Sequence, residues 1–153
     1  MFSKPSKNIF PVTAELVPSI VPLMASYLQF YDVKKTNRRS IQDFCERLIE
    51  QPESGCQFVY MEEGEALAFA TVYFSFATTQ LAKVAVMNDL YTVPEARKKG
   101  IAKRLIKHCR AYAKEKGAVR LQWVTAPDNK NAQRVYDNLP VNKSTWEFYT
   151  YPV

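Results

Sequence analysis

Residues 88–105, NDLYTVPEARKKGIAKRL, contain a short apolar strand, a proline turn and the start of a basic helix. The pattern in 89–93 favours a strand, and Pro94 ends it. From Ile101 onward the apolar residues recur at helical spacing, so a helix is predicted to begin beside Gly100. The rest of the chain is organised around this strand–turn–helix unit.

The helix start carries an unusual charge. Arg97, Lys98 and Lys99 lie where the helix dipole is positive and acidic residues are preferred. Gly100 lets the backbone approach a ligand closely, and the free N–H groups of the first turn would bind an anion such as phosphate. The alternative is a solvated basic helix.

The overall charge points the same way. The formal charge is +6, and within 97–120 Glu115 is the only acid. A basic chain favours an anionic partner, which could be nucleic acid, phospholipid headgroups or a phosphorylated cofactor. The position of the charge locates the anion near this helix.

Length and composition indicate one domain, residues 1–153, with no membrane-spanning run and no signal peptide at its start. Cys45, Cys56 and Cys109 are odd in number and widely spaced, which predicts reduced thiols in a cytoplasmic protein. No metal site is expected, because His108 is the only histidine and no CxxC motif occurs.

The hydrophobic periodicity predicts the element order β α α β β β α β α β, an α+β or mixed α/β fold around one central sheet. The predicted strands cover 9–12, 56–61, 66–76, a fourth strand that ends in the basic unit, 119–123 and an aromatic-rich 145–151. Pro18 and Pro22 predict a late start or a kink in the first helix. Ser40 is expected to cap the second helix through a box with Asp43.

Several smaller features complete this outline. The second helix is expected to face inward with the apolar residues Ile41, Phe44, Leu48 and Ile49. Residues 62–65 indicate a hairpin, and Gly117 is the expected residue just past the end of the basic helix. A helix over 131–139 follows the strand at 119–123.

Three motifs, in order, carry a resemblance to a known family. They are the RKKGIA loop of 97–102, the strand DLYTVPE of 89–95, and WVTAPDN of 123–129 followed by AQRVY of 132–136. Together they resemble the GNAT superfamily of N-acetyltransferases over residues 56–139. The first fifty residues match only in outline, as the family's variable substrate-facing helices.

The resemblance implies a mixed, mostly antiparallel sheet with a V-shaped splay between two central parallel strands, here those ending at Val93 and Thr125. The pantetheine arm of acetyl-CoA fills that gap as an added strand. Acetyl-CoA would be the cosubstrate, without a metal, and the acetyl group would pass directly to a primary amine of a small molecule or peptide. The resemblance is also compatible with a homodimer.

The resemblance further implies a set of cofactor-binding residues: Leu90, Tyr91, Thr92, Arg97, Lys98, Lys99, Gly100, Ile101, Ala102, Lys103, Arg104, Asn129, Ala132 and Tyr136. The backbone of the first three would bind pantetheine and polarise the acetyl oxygen, and Gly100 to Arg104 would hold the pyrophosphate. Asn129 would bond the pantetheine arm. Tyr136 is in the family's general-acid position.

The sequence leaves the identity of the general base open. The polyamine-acetylating branch often has a glutamate where this chain has Asn88, which cannot accept a full proton. Asp89, Asp32, Glu147 or a chain of water molecules are the alternatives. The predicted catalytic set is therefore Tyr136, Asn88 and Asp89.

On the acceptor side the predicted contacts are Tyr31 and Asp32. The loop after Tyr31 carries four basic residues, Lys34, Lys35, Arg38 and Arg39. They would repel polyamines and favour a small amine that also bears an anionic group, unless they simply point into solvent.

Other functions fit the residues less well. A basic module that lays the helix of 98–116 on nucleic acid would need aromatic or base-reading residues among its lysines. A homologue that binds CoA without catalysis is disfavoured by the intact Tyr136. Adjacent His108 and Cys109 point about 100° apart on a helix, which argues against a nucleophile. The spacing of the four glycines excludes a P-loop or a Rossmann fingerprint.

Overall fold

The computed structural model describes residues 6–34 and 37–153. Within them, one sheet runs in the order β1-β2-β3-β4-β5, with the first three pairings antiparallel and the last parallel. The strands are β1 Ile9–Pro11, β2 Gly55–Glu62, β3 Glu65–Ala77, β4 Ala82–Thr92 and β5 Leu121–Gln122. The helices are α1 Val17–Phe30, α2 Arg38–Glu50, α3 Ile101–Glu115 and α4 Lys130–Asp137. This architecture confirms the predicted α+β class.

Helices cover both faces of the sheet. Leu105 and Cys109 of α3 pack with Val72 and Ala85 in one apolar cluster. On the other face, Ile20 of α1 and Cys45 of α2 pack with Phe69 in a second cluster. The sheet is thus a middle layer, which is the arrangement expected when apolar residues fill both sides of its strands.

The local signals read from the sequence are largely confirmed. A 3₁₀ turn, Ala14–Leu16, precedes α1, so the helix starts late, and it carries Pro22 in its interior. The β2–β3 hairpin turns through Glu63 and Gly64, both with positive φ. Gly117 has φ 82°, and the Ala118 N–H donates to the Ala113 carbonyl at 2.9 Å, which closes the end of α3.

The start and inner face of α2 differ from the prediction. Asn37 caps the helix, because its Oδ1 accepts from the Ser40 N–H at 2.8 Å, and Ser40 lies inside the helix. The buried stripe consists of Ile41, Cys45 and Leu48. The spacing of that stripe is i, i+4 and i+7, which turns Phe44 and Ile49 outward, where both are exposed.

The predicted final strand over 145–151 was wrong for the single chain. These residues form no strand, and their aromatic side chains are exposed. The strand predicted over 119–123 shortens to Leu121–Gln122 and forms the edge of the sheet. The residues have strand propensity, but propensity alone supplies no neighbouring strand with which to pair.

Candidate active site

β4 and β5 separate after two residue pairs. Ala85 pairs with Leu121 and Val86 with Gln122, and the ladder ends there. β4 continues to Thr92, paired over 87–92 with β3 alone among the described residues. Beyond the end of β5, the far edge of β4 therefore faces a gap, where its backbone N–H and C=O groups have no partner strand in the described chain, as the predicted splay requires. An extended, amide-containing molecule can pair with such an edge.

A β-bulge lies at the start of this open edge. Thr71 pairs with Asp89 and Val72 with Met87, which leaves Asn88 as an extra residue. Bulges re-aim the side chains that follow them and are frequent next to active sites. Met87 packs in the cluster under α3, whereas Asp89 turns toward α1. The bulge was not predicted, because nothing in the residue types reveals it.

Asp89 lies among tyrosines that the sequence analysis did not select. Burial and the Asp89 carboxylate, which hydrogen-bonds with the Tyr27 hydroxyl, raise the pKa of Tyr27. Burial and then Asp89 also raise the pKa of Tyr73 to about 12. Both phenols therefore stay protonated at neutral pH. Asn88 donates from Nδ2 to Asp89 Oδ1 at 3.2 Å.

Two aromatic pairs lie near Asp89 and on α4, Tyr27 with Tyr31 and Trp123 with Tyr136. The ring of Tyr27 contacts Tyr31 edge to face, with ring centroids 5.0 Å apart. Burial, and then the proximity of Tyr31, raises the pKa of Tyr136. The Tyr136 ring packs against Trp123, at 5.4 Å, on the continuation of β5. Predicted acceptor-side Tyr31 and predicted general acid Tyr136 are thus close in space, and the raised pKa keeps Tyr136 a proton donor.

The basic turn has the geometry of an anion site. Gly100 caps α3 in the left-handed conformation, with φ 78° and no side-chain capping bond. The N–H groups of a helix's first turn have no partners within the helix, so those of residues 101–103 are available to a ligand. Lys98 and Lys99 are exposed beside them. Ile101 is buried, and only its backbone is available here.

Two arginines of this region contact the protein itself. Arg97 donates from Nε to the Thr92 carbonyl at 3.0 Å, and its guanidinium lies 5.8 Å from the centre of the Tyr91 ring. This contact ties the basic turn to the end of β4. The guanidinium of Arg104 lies over the ring of Tyr60, at 5.2 Å, whereas Lys103 is exposed and Ala102 is partly buried.

Asn129 and Thr92 border the gap from its two sides. The Asn129 Oδ1 accepts from the Ala132 N–H at 3.3 Å and caps α4, which leaves its amide NH₂ for another partner. The Thr92 hydroxyl is buried and has no hydrogen-bond partner among the residues described. A buried polar group without a partner is costly, so a ligand that supplies one would be favoured here.

Other residues selected from the sequence lie farther from this cluster. Asp32 is exposed at the end of α1, with φ 54°. Glu147 is in the exposed segment that follows α4. Arg39 forms an ion pair with Asp43 of its own helix at 2.8 Å, and Lys35 lies outside the described residues. Leu90 is partly buried in the α3 cluster, so it offers its backbone rather than its side chain.

His108 and Cys109 do not form a nucleophilic pair. Cys109 is fully buried, and burial raises its pKa, so the thiol stays protonated. Burial lowers the pKa of His108, whose ring packs on Phe58 with centroids 4.6 Å apart. Cys109 is therefore a core residue, and His108 is partly buried beside it.

The splayed strands, the basic turn and the tyrosine on α4 all lie within the part of the chain that a known family matches. The model of the acetyltransferase (GNAT) family matches residues 21–139. The chain belongs to the GNAT family. Its family membership makes it an N-acetyltransferase, and both curated relatives and solved structures support this.

Among curated proteins, an uncharacterised N-acetyltransferase of Bacillus subtilis is 30% identical over 130 residues, which are 85% of this chain and 86% of that protein. A thialysine N-epsilon-acetyltransferase of Caenorhabditis elegans is 27% identical over 86% of this chain and 81% of that protein.

Among solved structures, a probable acetyltransferase superimposes with a TM-score of 0.83 at 30% identity, covering 95% of this chain and 97% of that one. An aminoglycoside N-acetyltransferase in complex with CoA has a TM-score of 0.82 at 18% identity, over 98% of this chain and 99% of that one. The latter shows the fold alone.

Two further observations concern the described part of the GNAT chain. No helix in it is long and apolar enough to cross a bilayer. Within the same residues, no three His, Cys, Asp or Glu side chains are grouped to hold a metal ion.

Proposed function

We propose that this GNAT protein is an acetyl-CoA-dependent N-acetyltransferase that transfers the acetyl group directly to a primary amine of a small molecule or peptide. The observation that carries the proposal is the open edge of β4, with Asp89 at its start and the basic turn beyond its end. Tyr136 approaches the same gap from α4. A donor, an acceptor and a proton source would meet there.

For acetyl-CoA, the chain offers a backbone edge and an anion site. The backbone groups of Leu90, Tyr91 and Thr92 would pair with the pantetheine amides and donate to the acetyl oxygen, and the Thr92 hydroxyl would gain a partner. The first-turn N–H groups after Gly100, with nearby lysines, would bind the pyrophosphate. Arg97 would position this turn through Thr92 rather than contact phosphate itself. The amide NH₂ of Asn129 would reach the pantetheine from the other side.

The reaction needs two proton movements. The neutral amine attacks the thioester carbonyl, a C–N bond forms, and the C–S bond breaks. We assign the proton leaving the amine nitrogen to Asp89, directly or through water, with Asn88 and Tyr27 holding the carboxylate. Tyr136 donates its phenolic proton to the departing thiolate. Afterwards Asp89 releases its proton to solvent and Tyr136 takes one up from solvent, which restores both groups.

For the acceptor, we infer a small amine that also carries an anionic group. The Asp89 carboxylate, close to Tyr27 and Tyr73, suits an ammonium group before it loses its proton. Lys34, which follows α1, and Arg38, which begins α2, are exposed and would repel a polycation. One relative is named a D-amino-acid N-acetyltransferase, from Saccharomyces cerevisiae, 36% identical over 49% of this chain. That name and the thialysine relative support an amino acid or a short peptide as acceptor.

We take residues 1–153 as a single catalytic domain, since both apolar clusters share one sheet. We place the protein in the cytoplasm. The three free cysteines support a reducing compartment, and burial raises the pKa of Cys45 and Cys56 to about 11.

The decisive experiment is a CoA-release screen over amine classes: amino acids, short peptides, aminoglycosides and polyamines, with Tyr136→Phe run in parallel. The proposal expects saturable turnover with at least one carboxylate-bearing amine and greatly reduced turnover in the variant. Acetyl-CoA binding by calorimetry without turnover on any class would favour a silent CoA-binding homologue. Salt-sensitive DNA retardation without acetyl-CoA binding would favour the nucleic-acid module instead.

A further inference from the structure

We propose that Arg120, held by Gln122, binds the carboxylate of the acceptor, and that the acceptor is an amino acid whose reacting amine is separated from that carboxylate by several methylene groups. This inference deepens the proposed function and rests on it, because Asp89 is taken as the group that meets the amine. Three features carry it: the face on which Arg120 lies, the contacts of its guanidinium, and its distance from Asp89.

Arg120 lies on the face of the sheet that carries the proposed base. Gln122 of β5 pairs with Val86 of β4, and Val86 pairs with Tyr73 of β3. Paired residues share a face, and Tyr73 follows Val72, which packs under α3, so this row faces the layer of α1 and α2. The Arg120 side chain hydrogen-bonds with Gln122, two residues along, which places it on that face as well.

The charges on this face form one pair of opposite sign. Among the side chains of 71–77, 82–89 and 120–124 that face the layer of α1 and α2, Asp89 is the only acid and Arg120 the only basic residue. Lys83 faces the other side, where its ammonium lies 4.9 Å from the centre of the Phe74 ring. A ligand with an amine at one end and a carboxylate at the other complements such a pair.

The guanidinium of Arg120 is oriented for a carboxylate. Its Nε donates to Gln122 Oε1 at 2.9 Å, which leaves the two Nη groups as a fork of the shape that binds a carboxylate through two parallel hydrogen bonds. Both side chains are exposed. α1 lies over β3 and α2 over β2, whereas α3 packs on β4 and β5 from the other face. A small ligand can therefore reach Arg120 from the side of Asp89.

The distance between the two charged residues sets the length of the ligand. Tyr73, in the row of Gln122, and Thr71, which pairs with Asp89, are two residues apart on β3, or about 6.8 Å along the strand. Because neighbouring strands are about 4.8 Å apart, the Cα atoms of Gln122 and Asp89 are separated by roughly 8 Å. Val86 lies between them and is partly exposed, so it offers an apolar floor for methylene groups.

This distance selects a class of amino acid. An extended chain of six bonds, the length of two residues, spans about 7 Å. The amine and the carboxyl carbon of 6-aminohexanoate are six bonds apart, as are the ε-nitrogen and the carboxyl carbon of lysine. Glycine, with two bonds, is too short to reach both charged groups. The acceptor is thus an amino acid that reacts through a distal amine.

A series of straight-chain amino acids tests the predicted length. kcat/KM is measured for glycine, 4-aminobutanoate, 6-aminohexanoate and 8-aminooctanoate, each beside the alkylamine with the same number of carbons. We expect a maximum at 6-aminohexanoate and an advantage over hexylamine of about tenfold, as for a hydrogen bond to a charged group. Equal values for amino acid and alkylamine at every length would overturn the proposal.

Substitutions at Arg120 test the subsite itself. Arg120→Gln should raise KM for 6-aminohexanoate about tenfold, with kcat nearly unchanged and hexylamine unaffected, and Arg120→Lys should give an intermediate KM. Arg110→Gln removes the same charge from an exposed arginine of α3 and is the matched control. An unchanged KM in Arg120→Gln, or an equal rise for hexylamine, would contradict the subsite.

Calorimetric titration of 6-aminohexanoate into the protein with CoA present separates this inference from the proposed function. Turnover of amines without any dependence on length or on Arg120 would contradict the subsite and leave the activity standing. If no amine is turned over, the activity is contradicted, but weaker binding of 6-aminohexanoate to Arg120→Gln than to the wild type would still support the subsite. Equal or undetectable binding to both proteins would then overturn the subsite as well.

Discussion

Tyr27 of α1 and Asp89 of β4 hydrogen-bond across the boundary between a helix layer and the sheet. The tyrosine also packs edge to face on Phe69, with ring centroids 5.6 Å apart. The carboxylate is therefore held by a phenol that is itself fixed in the core. This arrangement connects α1 to β4, the strand that carries the proposed base.

Removing the donor of this bond should weaken use of the amine. Tyr27→Phe keeps the ring packing and deletes the hydroxyl, so Asp89 loses one hydrogen bond to a charged group. We expect kcat/KM for the acceptor to fall about tenfold, and more in Asp89→Asn, while acetyl-CoA affinity changes little. Steady-state kinetics with the best amine of the screen would measure it. Tyr112→Phe on α3, where the ring packs on Phe58, is the matched control; an equal loss there would indicate a general effect on packing.

Gly100 should be intolerant of substitution for two separable reasons. A Cβ at this position meets no atom within 4 Å, but the backbone has φ 78°, so Gly100→Ala is expected to cost about 1–2 kcal/mol in free energy of unfolding. Gly100→Glu adds a negative charge at the anion site and should abolish acetyl-CoA binding. Calorimetric titration and thermal unfolding of both variants separate the two effects. Normal acetyl-CoA affinity in a folded Gly100→Glu protein would remove the anion site from the proposal.

Tyr136→Phe should lower kcat about ten- to a thousandfold, within the range of general-acid contributions, and leave acetyl-CoA affinity nearly intact. The pH profile provides an independent test. Tyr136 acts in its protonated form, and burial raises its pKa above the usual value near 10. Activity should therefore persist through neutral pH and decline only as the pH rises past the raised pKa of Tyr136. The variant should lack this decline at alkaline pH. Unchanged turnover in a stable variant would exclude Tyr136 from the mechanism.

Arg97 should behave differently from its basic neighbours. Arg97→Ala breaks the bond to the Thr92 carbonyl and releases the turn from β4, so we expect a loss of roughly 1 kcal/mol in stability together with weaker acetyl-CoA binding. Lys98→Ala removes the same charge from an exposed side chain and serves as the matched control, with weaker binding but unchanged stability. Urea unfolding and calorimetry would measure both quantities. Identical effects of the two substitutions would argue that charge alone matters at position 97.

The features that sequence predicted well are those encoded by neighbouring residues. The late start of α1 follows from its prolines, the hairpin from its Glu-Gly turn, and the helix start at Gly100 from the change of hydrophobic period. The bulge at Asn88 could not be predicted, because it depends on the register with β3 around Thr71 and Val72. The partners of Asp89 were missed for the same reason: Tyr27 reads as one more apolar residue of a helical stripe.

The bulge at Asn88 also has an evolutionary consequence. Ala85 and Met87 point to the α3 face, yet beyond the extra residue it is Leu90 that packs there, while Tyr91 packs on the opposite face. The extra residue thus shifts by one position the alternation of the β4 side chains between the two faces of the sheet. In a regular strand that kept Asn88, Asp89 and Tyr91 would lie on the α3 face and Leu90 on the α1 face, so every later side chain would face the opposite layer. An insertion of one residue in this strand can therefore be absorbed by the bulge without moving any later side chain from one layer of the protein to the other.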